Sequence, residues 1–345
     1  MTAKDHRSRE AFLRAARRAG FQLAGIAPAA NVADFPLYRQ WVEDGLAGPL
    51  GYLADRRAGL RTDPRLLLPA ARSVVCVGLL YNTAGPERHS VSRYAWGAAD
   101  YHDVVRALLE GVVREVADEV GGFEYRICVD TAPLLERSLA REAGLGWIGR
   151  NTCLIHEPMG SWFFLGEVLT SLEMERDSPP PDRCGTCRRC VDACPTGALV
   201  PAGGGRYRLD ARLCISTWTI EQRGVLPERA REDSGHLVFG CDICQEVCPW
   251  NQRAPVTARP EFQPLYPDPD LAELAGLTED GFRERFRRTP LWRARYAGLL
   301  RNAATAMGNS GDARYVPVLR KLAEMEEEAV REHAQWALRR LEAVR

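Results

Sequence analysis

The chain has 345 residues, of which 46% are hydrophobic and 27% charged, as in ordinary soluble globular proteins with two or three domains. The formal net charge is zero, which excludes a globally basic nucleic-acid-binding protein but permits a local basic patch. No run of about 18 apolar residues predicts a membrane span, and the first 20 residues lack the apolar segment of a signal peptide. We therefore expect a cytoplasmic protein with no membrane partner. The 11 cysteines in that reducing compartment favour metal ligation over disulfides.

The first half of the chain predicts strands alternating with helices. Residues 72–81 are a continuous valine-rich run, typical of a buried strand, and residues 123–130 and 161–174 are further strand candidates. Residues 100–120 repeat apolar side chains at helical spacing. Residues 133–144 predict a helix with Pro133 in its first turn and Gly144 at its end.

The composition divides the chain into three predicted domains. A proline-rich stretch at 176–182 ends an α/β domain over 1–175, and a cysteine-rich domain follows over 176–255. Residues 256–345 are predicted to be a linker and a helical tail. The segments 299–307 and 330–338 repeat a small-residue helical pattern with a period of about 31 residues, as in HEAT-like repeats. A plain three-helix cap is the alternative.

The densest chemistry lies in residues 184–195, CGTCRRCVDACP. The spacing is that of bacterial ferredoxins, in which the fourth cysteine of such a run serves a second cluster. The run at 241–249 supplies three more cysteines, and the isolated Cys214 completes eight thiolates for two four-iron clusters. The predicted ligands are therefore crossed, with one cluster held by Cys184, Cys187, Cys190 and Cys248, and the other by Cys194, Cys214, Cys241 and Cys244.

A structural zinc site is the alternative interpretation of these cysteines. The run of four fits the paired CxxC knuckles of zinc sites poorly, so we favour the clusters. Cys76 and Cys128 lie in apolar strand candidates and are predicted to be small core residues, while Cys153 has no assignment.

The clusters are expected to supply electrons to a site in the first domain. Neither a GxGxxG motif after a strand nor a Walker motif occurs, so the sequence does not indicate a nicotinamide or ATP site. Asp130 ends a strand candidate, where α/β proteins place ligand-facing groups. We expect it to be a general acid whose pKa is raised by burial; a helix N-cap is the alternative.

Two neighbouring segments suggest how a ligand would be held. The glycines of GLGWIGRN, residues 144–151, predict a backbone that closely approaches a large flat ligand. Residues 92–102 add Tyr101 and His102, although a histidine at a helix start is often a cap or a surface residue.

These residues together resemble the epoxyqueuosine reductases. The resemblance rests on VDTAPLLERSLAREAGLGWIGRNTCLI (129–155), YAWGAADYH (94–102), the paired cysteine runs and CISTWTIEQRG (214–224), and extends to LLRNAATAMGN (299–309). The family's usual CISYLTIE reads CISTWTIE here, which puts one contact near the corrin or the tRNA in doubt.

The resemblance implies a cobalamin-binding α/β reductase domain, a bacterial two-cluster ferredoxin domain and a C-terminal α-helical HEAT-like repeat. It implies that Asp130 donates a proton and that the eight cysteines hold two 4Fe-4S clusters. The cobalamin contacts expected from it and from the flat-ligand pattern are Asp130, Thr131, Ala132, Tyr101, His102, Trp147, Ile148, Gly149, Asn151, Thr152, Ser216, Thr217, Cys241 and Asp242.

The implied activity is the last step of queuosine biosynthesis. Epoxyqueuosine at the wobble position of a tRNA with a GUN anticodon is reduced to queuosine, with the epoxide becoming an alkene and its oxygen leaving as water. The resemblance also implies an external electron donor such as a flavodoxin or ferredoxin, and we expect a monomer.

A basic segment at 282–301 predicts contacts with the tRNA. It carries seven arginines and one acid, and four aromatic residues are interleaved with them. The alternative is a solvated helix face with aromatic residues in the core. A second basic segment lies at 56–73. The predicted tRNA contacts are Arg283, Arg285, Arg287, Arg288, Arg293, Arg295 and Arg301.

Two other functions remain as alternatives. One is a reductive dehalogenase-like corrinoid enzyme, and the other is an electron-transfer protein that reactivates a corrinoid enzyme. Dehalogenases usually carry a twin-arginine export signal, which is not found here, and neither alternative needs an arginine-rich tail.

Overall fold

The computed structural model describes residues 3–343, with side chains from residue 6. The ends of the first and third predicted domains, residues 1–2 and 344–345, lie outside the described residues. The first part of the chain contains α1 (Ala3–Arg18), β1 (Leu23–Pro28), α2 (Phe35–Glu43), β2 (Ser73–Leu80), α3 (Tyr101–Val120), β3 (Tyr125–Cys128), α4 (Glu136–Glu142), β4 (Trp147–Ile148), β5 (Leu154–Ile155) and β6 (Phe163–Thr170).

The predicted strands form one four-stranded sheet in the order β1-β2-β6-β3. The mixed α/β content and all three predicted strands are confirmed, but every strand pair in this sheet is antiparallel. Asp130 follows β3 and precedes α4, as expected, but the sheet beside it is antiparallel. The predicted helix at 133–144 is α4 and begins only at Glu136.

Both faces of the sheet are covered, which explains why its central strand reads as a continuous apolar run. All of β2 is buried. Val75 and Val77 pack on the face covered by α1 and α3, whereas Val74 and Cys76 pack on the face covered by α4. Cys128 is buried in that second face too, so the prediction that Cys76 and Cys128 are core residues is confirmed.

The cysteine-rich part contains α5 (Arg189–Ala193), β7 (Leu199–Gly203), β8 (Arg206–Leu209), α6 (Glu228–Asp233) and α7 (Ile243–Glu246). A single-turn π-helix spans Thr217–Glu221 between β8 and α6. Such turns are rare and occur mostly at functional sites. This one lies between Cys214 and the candidate site described below.

The tail contains α8 (Leu271–Ala275), α9 (Glu279–Phe286), α10 (Arg295–Ser310), α11 (Val316–Leu322) and α12 (Glu328–Ala343). The two repeated segments lie on α10 and α12, which pack directly against each other. The helical tail is confirmed, and the HEAT-like repeat stays a prediction. Within residues 3–343, no helix is both long and apolar enough to cross a membrane.

One apolar core joins all three predicted domains. Trp96 from the first part, Phe239 from the cysteine-rich part and Leu299 from the tail are fully buried in the same cluster. The tail is therefore packed against the elements that carry the cysteines.

Candidate functional site

The eight predicted cluster cysteines form two groups of thiols. Burial raises the pKa of Cys190 to about 11, and the nearby thiols of Cys248, Cys184 and Cys187 add to this rise. We call these four residues the first thiol group. The grouping joins the run at 184–195 to the last cysteine of the downstream run, as the crossed assignment predicts.

The other four cysteines form the second thiol group. Burial raises the pKa of Cys241 to about 12, opposed by a backbone N–H of Ile243 and reinforced by Cys214 and Cys194. The pKa of Cys244 is likewise raised by burial and, among other groups, by the nearby thiols of Cys241 and Cys214. The isolated Cys214 thus lies with the downstream cysteines, although 27 positions separate it from Cys241 in the chain.

The choice of clusters over a zinc ion stays a prediction from the cysteine spacing. In the part of the chain with described side chains, no three His, Cys, Asp or Glu residues converge on one metal ion. Zinc needs four ligands at about 2.3 Å from a single point, whereas a cluster is bound by thiolates spaced around a cage of several atoms.

A buried indole faces the first thiol group. Trp147 is 3% exposed and packs on Cys248 and Trp250. Burial raises the pKa of Cys184, and the indole N–H of Trp147 works against that rise. Among residues 6–343 this N–H has no hydrogen-bond partner. This placement favours a contact between Trp147 and a cluster over the predicted contact with the corrin.

A cavity of about 500 Å³ lies between the N-terminal part and the tail. Asp130 and His102 meet in it, with the His102 Nε2 3.0 Å from Asp130 Oδ2 and the His102 Nδ1 2.6 Å from Asp100 Oδ1. The other lining residues are Tyr52, Tyr94, Tyr101, Ile220, Glu221, Arg223, Thr289, Pro290, Trp292, Arg293 and Arg295.

The backbone at Asp130 is unusual and is held by a side chain. Asp130 has a φ of +53°, a left-handed conformation that few non-glycine residues adopt. Its N–H donates to Glu136 Oε1 at 2.6 Å. The N-cap alternative for Asp130 is wrong, because Leu135 stands at the N-cap position of α4 and makes no side-chain cap.

The charges on Asp130 and His102 differ from the prediction. Burial alone would raise the pKa of Asp130, but the hydrogen bond and the charge of His102, together with Arg293, lower it overall. Burial disfavours the His102 imidazolium, yet hydrogen bonds to Asp100 and Asp130 raise its pKa to about 9. The expected rise in the pKa of Asp130 is therefore wrong, because the pKa of Asp130 is lowered while that of His102 is raised.

Arg293 belongs to this cavity. It forms an ion pair with Glu221 at the end of the π-helix, lies 3.9 Å from Asp130 Oδ2 and packs over the ring of Tyr52. Burial disfavours its charge, but Glu221, Tyr52 and Asp130 together raise the pKa of Arg293. The position favours a role beside Asp130 over the predicted contact with a distant tRNA phosphate.

The rest of the basic segment separates into exposed, paired and buried arginines. Arg287, Arg288 and Arg295 are exposed, and Arg283 is exposed near the carboxylates of its own helix. Arg285 pairs with Glu273. The four aromatic residues pack together, Phe282 and Phe286 in the buried core and Trp292 and Tyr296 against it, as the alternative interpretation predicted.

Arg301 is not a tRNA contact. It is 1% exposed and donates to the carbonyl oxygens of Trp218, Gln222 and Gly224. These carbonyl groups lie in and after the π-helix, where regular i to i−4 pairing is lost. The arginine and its neighbour Asn302, which donates to Thr219 O, therefore hold the π-helix in place.

The glycines of 144–151 are explained by packing within the protein. A side chain at Gly146 would collide with the carbonyl of Ile155, and one at Gly149 with the Ile155 side chain. Gly144 has a φ of +77° at the end of α4. Packing thus accounts for these glycines, and the contact with a flat ligand stays a prediction.

The other predicted cobalamin contacts lie in three places. Thr131 and Ala132 line a second cavity of about 460 Å³ on the far side of Asp130, together with Arg57, Arg106 and Arg126. The remaining residues lie next to the thiol groups. Asn151 donates to Cys244 O, backbone groups of Ser216 and Thr217 act on Cys214, and Asp242 accepts from Ser92 and from the Arg93 N–H. Ile148 packs partly buried against the core beneath the sheet, and Thr152 accepts from Arg137.

Sequence reasoning missed four residues of the site. Tyr52 and Glu221 line the main cavity, and Glu136 and Glu167 lie behind Asp130. The acid at 167 stands alone in the apolar strand FFLGEVLT, a signal that could have been noticed. No feature of the sequence marks Tyr52.

Comparisons with known proteins agree with this geometry. Residues 61–131 match the family described as "Epoxyqueuosine reductase QueG, DUF1730", and residues 183–251 match the "4Fe-4S double cluster binding domain". The chain is 41% identical over 337 residues to an epoxyqueuosine reductase of Xanthomonas campestris pv. campestris, covering 94% of this chain and 93% of that protein. It is 40% identical over 339 residues to one from Pseudomonas aeruginosa, covering 94% and 92%.

Two solved structures are similar over almost the whole chain. One is an epoxyqueuosine reductase with a tRNA-Tyr epoxyqueuosine-modified stem loop, with a TM-score of 0.86, 31% identity, and coverage of 96% of this chain and 89% of that one. The other is a Bacillus subtilis epoxyqueuosine reductase whose catalytic aspartate loop is swung out of the active site, with a TM-score of 0.86, 30% identity, and coverage of 96% and 90%.

Proposed function

The chain belongs to the epoxyqueuosine reductase family, and we propose that it carries out the family's reaction in the cavity at Asp130. The enzyme reduces epoxyqueuosine in tRNA to queuosine. Two electrons and two protons enter, both carbon–oxygen bonds of the epoxide break, a carbon–carbon double bond forms, and the oxygen leaves as water. The chain therefore has to supply electrons, protons and a binding surface for RNA.

The two thiol groups are suited to hold two 4Fe-4S clusters. Each offers four cysteines, and backbone N–H groups approach Cys214, Cys241 and Cys248. Such N–H groups stabilise the negative charge of a ligated cluster. The partnerless indole N–H of Trp147 beside Cys184 is a further donor that a cluster sulfur would satisfy.

The residues around Asp130 also fit a cobalamin. Two open cavities adjoin the segment at 130–133, and their linings combine apolar side chains with hydrogen-bonding groups, as a large ring with amide side arms requires. Bound cobalamin would supply a low-valent cobalt as electron donor. The residues proposed to hold it are Tyr101, His102, Asp130, Thr131, Ala132, Ser216, Thr217 and Asp242.

Asp130 and His102 are proposed to deliver the proton as a pair. An epoxide oxygen leaves poorly until it is protonated, so a donor must lie beside it. His102 Nε2 lies 3.0 Å from the Asp130 carboxylate, and hydrogen bonds to Asp100 and Asp130 raise the pKa of His102 to about 9, which makes it a source of this proton. We propose that Asp130 passes this proton to the epoxide oxygen and that Asp100 keeps the His102 ring oriented.

tRNA is the substrate, and the exposed arginines are proposed to contact its backbone. Arg287, Arg288 and Arg295 are exposed on the tail, where Arg295 lines the main cavity, and Arg57, Arg106 and Arg126 line the second one. Arginine contacts to phosphate fix the position of an RNA without reading its sequence. The GUN anticodon, a flavodoxin or ferredoxin as electron donor, a cytoplasmic location and a monomeric state belong to the same proposal.

The observation that carries the proposal is the Asp100–His102–Asp130 chain of hydrogen bonds, which ends in a cavity bordered by the π-helix that follows Cys214. The test is a single-turnover assay on anaerobic enzyme with reconstituted clusters, with and without cobalamin, using an epoxyqueuosine-containing anticodon stem loop and dithionite. Mass spectrometry should show the loss of one oxygen atom only with cobalamin. Asp130→Asn should abolish it with clusters and RNA binding intact, whereas Asp118→Asn, exposed near the C-terminal end of α3, should not. No conversion by the fully loaded wild-type enzyme would refute the proposal.

A further inference from the structure

Glu167 places a carboxyl group in the middle of an apolar core. It is 0% exposed and lies on β6 opposite Cys76 of β2 and Cys128 of β3. Among the described side chains, only the carboxyl of Glu136 on α4 is near enough to hydrogen-bond with Glu167. Two ionised carboxylates cannot hydrogen-bond to each other, so neither Glu167 oxygen has a partner unless the two acids share a proton. An unpaired carboxylate there would cost several kcal/mol, so Glu167 must carry a proton.

Glu136 connects this buried acid to Asp130. The Glu136 carboxyl accepts the Asp130 N–H at 2.6 Å and also lies next to Glu167. Asp130 needs such support because its φ of +53° is unfavourable for a residue with a side chain. The conformation in turn directs the Asp130 carboxyl towards His102.

We propose that Glu136 and Glu167 share one proton and that this pair is a positioning device that holds Asp130 in the cavity. Glu167 donates its O–H to Glu136, and Glu136 accepts the Asp130 N–H. Neither acid touches the substrate. The proposal deepens the proposed function, since it rests on Asp130 as the residue that delivers the proton.

The electrostatics give the device a dependence on pH. Burial, with the charge of Asp130 next, raises the pKa of Glu136 to about 7, and burial raises that of Glu167 well above its usual range. The groups that face the pair are Asp130, Arg137 and the thiols of Cys76 and Cys128. Above about pH 7 Glu136 is ionised and accepts strongly. Below that pH it takes up a proton, the hydrogen bond weakens, and Asp130 is released.

Hydrogen exchange tests the contact without the reaction. The measurement is the protection factor of the Asp130 amide, read from peptides covering 129–135 in the reconstituted enzyme and corrected for the intrinsic effect of pH. Wild-type protection should fall as the pH drops from 8 to 6. Glu136→Gln keeps an acceptor oxygen without a titration, so its protection should not change over that range. Glu136→Leu removes the acceptor, and exchange should be at least about tenfold faster at pH 8.

Single-turnover kinetics test the consequence. Misplacement of a reacting group by about 1 Å can cost about 100-fold in rate, so Glu136→Leu should lose about that factor while its stem-loop affinity stays the same. The wild-type rate should fall below pH 7, and Glu136→Gln should lose that limb of the profile. Glu142→Ala, on the same helix but paired with Arg141 at the surface, is the matched control.

The outcomes separate the two proposals. Unchanged Asp130 protection in Glu136→Leu, or a wild-type pH limb in Glu136→Gln, would overturn the positioning role. If the wild-type enzyme converts no substrate, the proposed function fails, and the exchange data still decide whether Glu136 holds the Asp130 backbone.

Discussion

Replacing Arg301 by methionine separates a structural arginine from a tRNA-binding one. Methionine fills a similar volume and removes every donor. Arg301 is 1% exposed, and burial lowers its pKa from 12.5 to about 10, a cost to the charged form of about 3 kcal/mol. Against this stand hydrogen bonds to three carbonyl groups, each contributing about 1.5–3 kcal/mol when the donor is charged.

The hydrogen bonds outweigh the cost of burying the charge by a few kcal/mol, so Arg301→Met should lower the free energy of unfolding by about 3 kcal/mol. For a chain of this size that lowers Tm by about 5 °C. Because the carbonyl groups belong to the π-helix that follows Cys214, iron content should fall towards half as the second thiol group loses its cluster. Arg288→Met, exposed on the same basic segment, is the control and should leave Tm and iron unchanged.

The assay is anaerobic thermal unfolding with iron analysis, together with stem-loop binding measured at several salt concentrations. An Arg301→Met variant that melts like the wild type but binds the stem loop more weakly, with a shallower salt dependence, would refute this reasoning and restore the arginine as an RNA contact.

Three further predictions follow from the same structure. The pKa of His102 is raised to about 9, above its unfolded value of about 6.5, so the charged form stabilises the fold below about pH 6.5 and this contribution is lost as the pH rises through 9. The single-turnover rate should fall over the same upper pH range, and His102→Gln should remove that fall. A fall that persists in His102→Gln would assign it to another group. Cys214→Ser should lose one cluster by iron content and electron paramagnetic resonance, while Cys153→Ser should keep both, and loss of a cluster in the second variant would make Cys153 a ligand. Arg287→Ala and Arg288→Ala should each lower the slope of log affinity against log salt by about 0.7, the value for a single-stranded phosphate contact, and an unchanged slope would place the RNA elsewhere.

The local patterns of the sequence were sufficient for the three predicted strands, and they led to a prediction of the cluster ligands. The valine-rich run at 72–81 is a buried strand because both faces of β2 are covered, and continuous apolarity is what such a strand requires. The ferredoxin spacing at 184–195 implied a second set of ligands, and Cys214 was the only unassigned cysteine close enough in the chain to complete it. Both inferences depend only on which residue types stand near one another in the chain, and the sequence contains that information.

Charge and orientation could not be read in that way. The sequence gives Arg301 and Arg288 the same residue type in the same basic segment, yet one is buried against the π-helix and the other is exposed. Glycines that a pattern assigned to a ligand are needed because Ile155 packs against them. The pKa of Asp130 was expected to rise with burial, and it falls because His102, 28 positions away, donates to it.

The sequence by itself therefore determined the family and the 4Fe-4S binding domain, because these depend on motifs of neighbouring residues, and it predicted which aspartate serves the reaction. Only the tertiary structure decided which groups surround that aspartate. Glu136, Glu167, His102 and Arg293 come from α4, β6, α3 and the tail, and their mutual distances are set by the packing of those elements. Protonation states follow from these distances, because burial and neighbouring charges act through space and not along the chain.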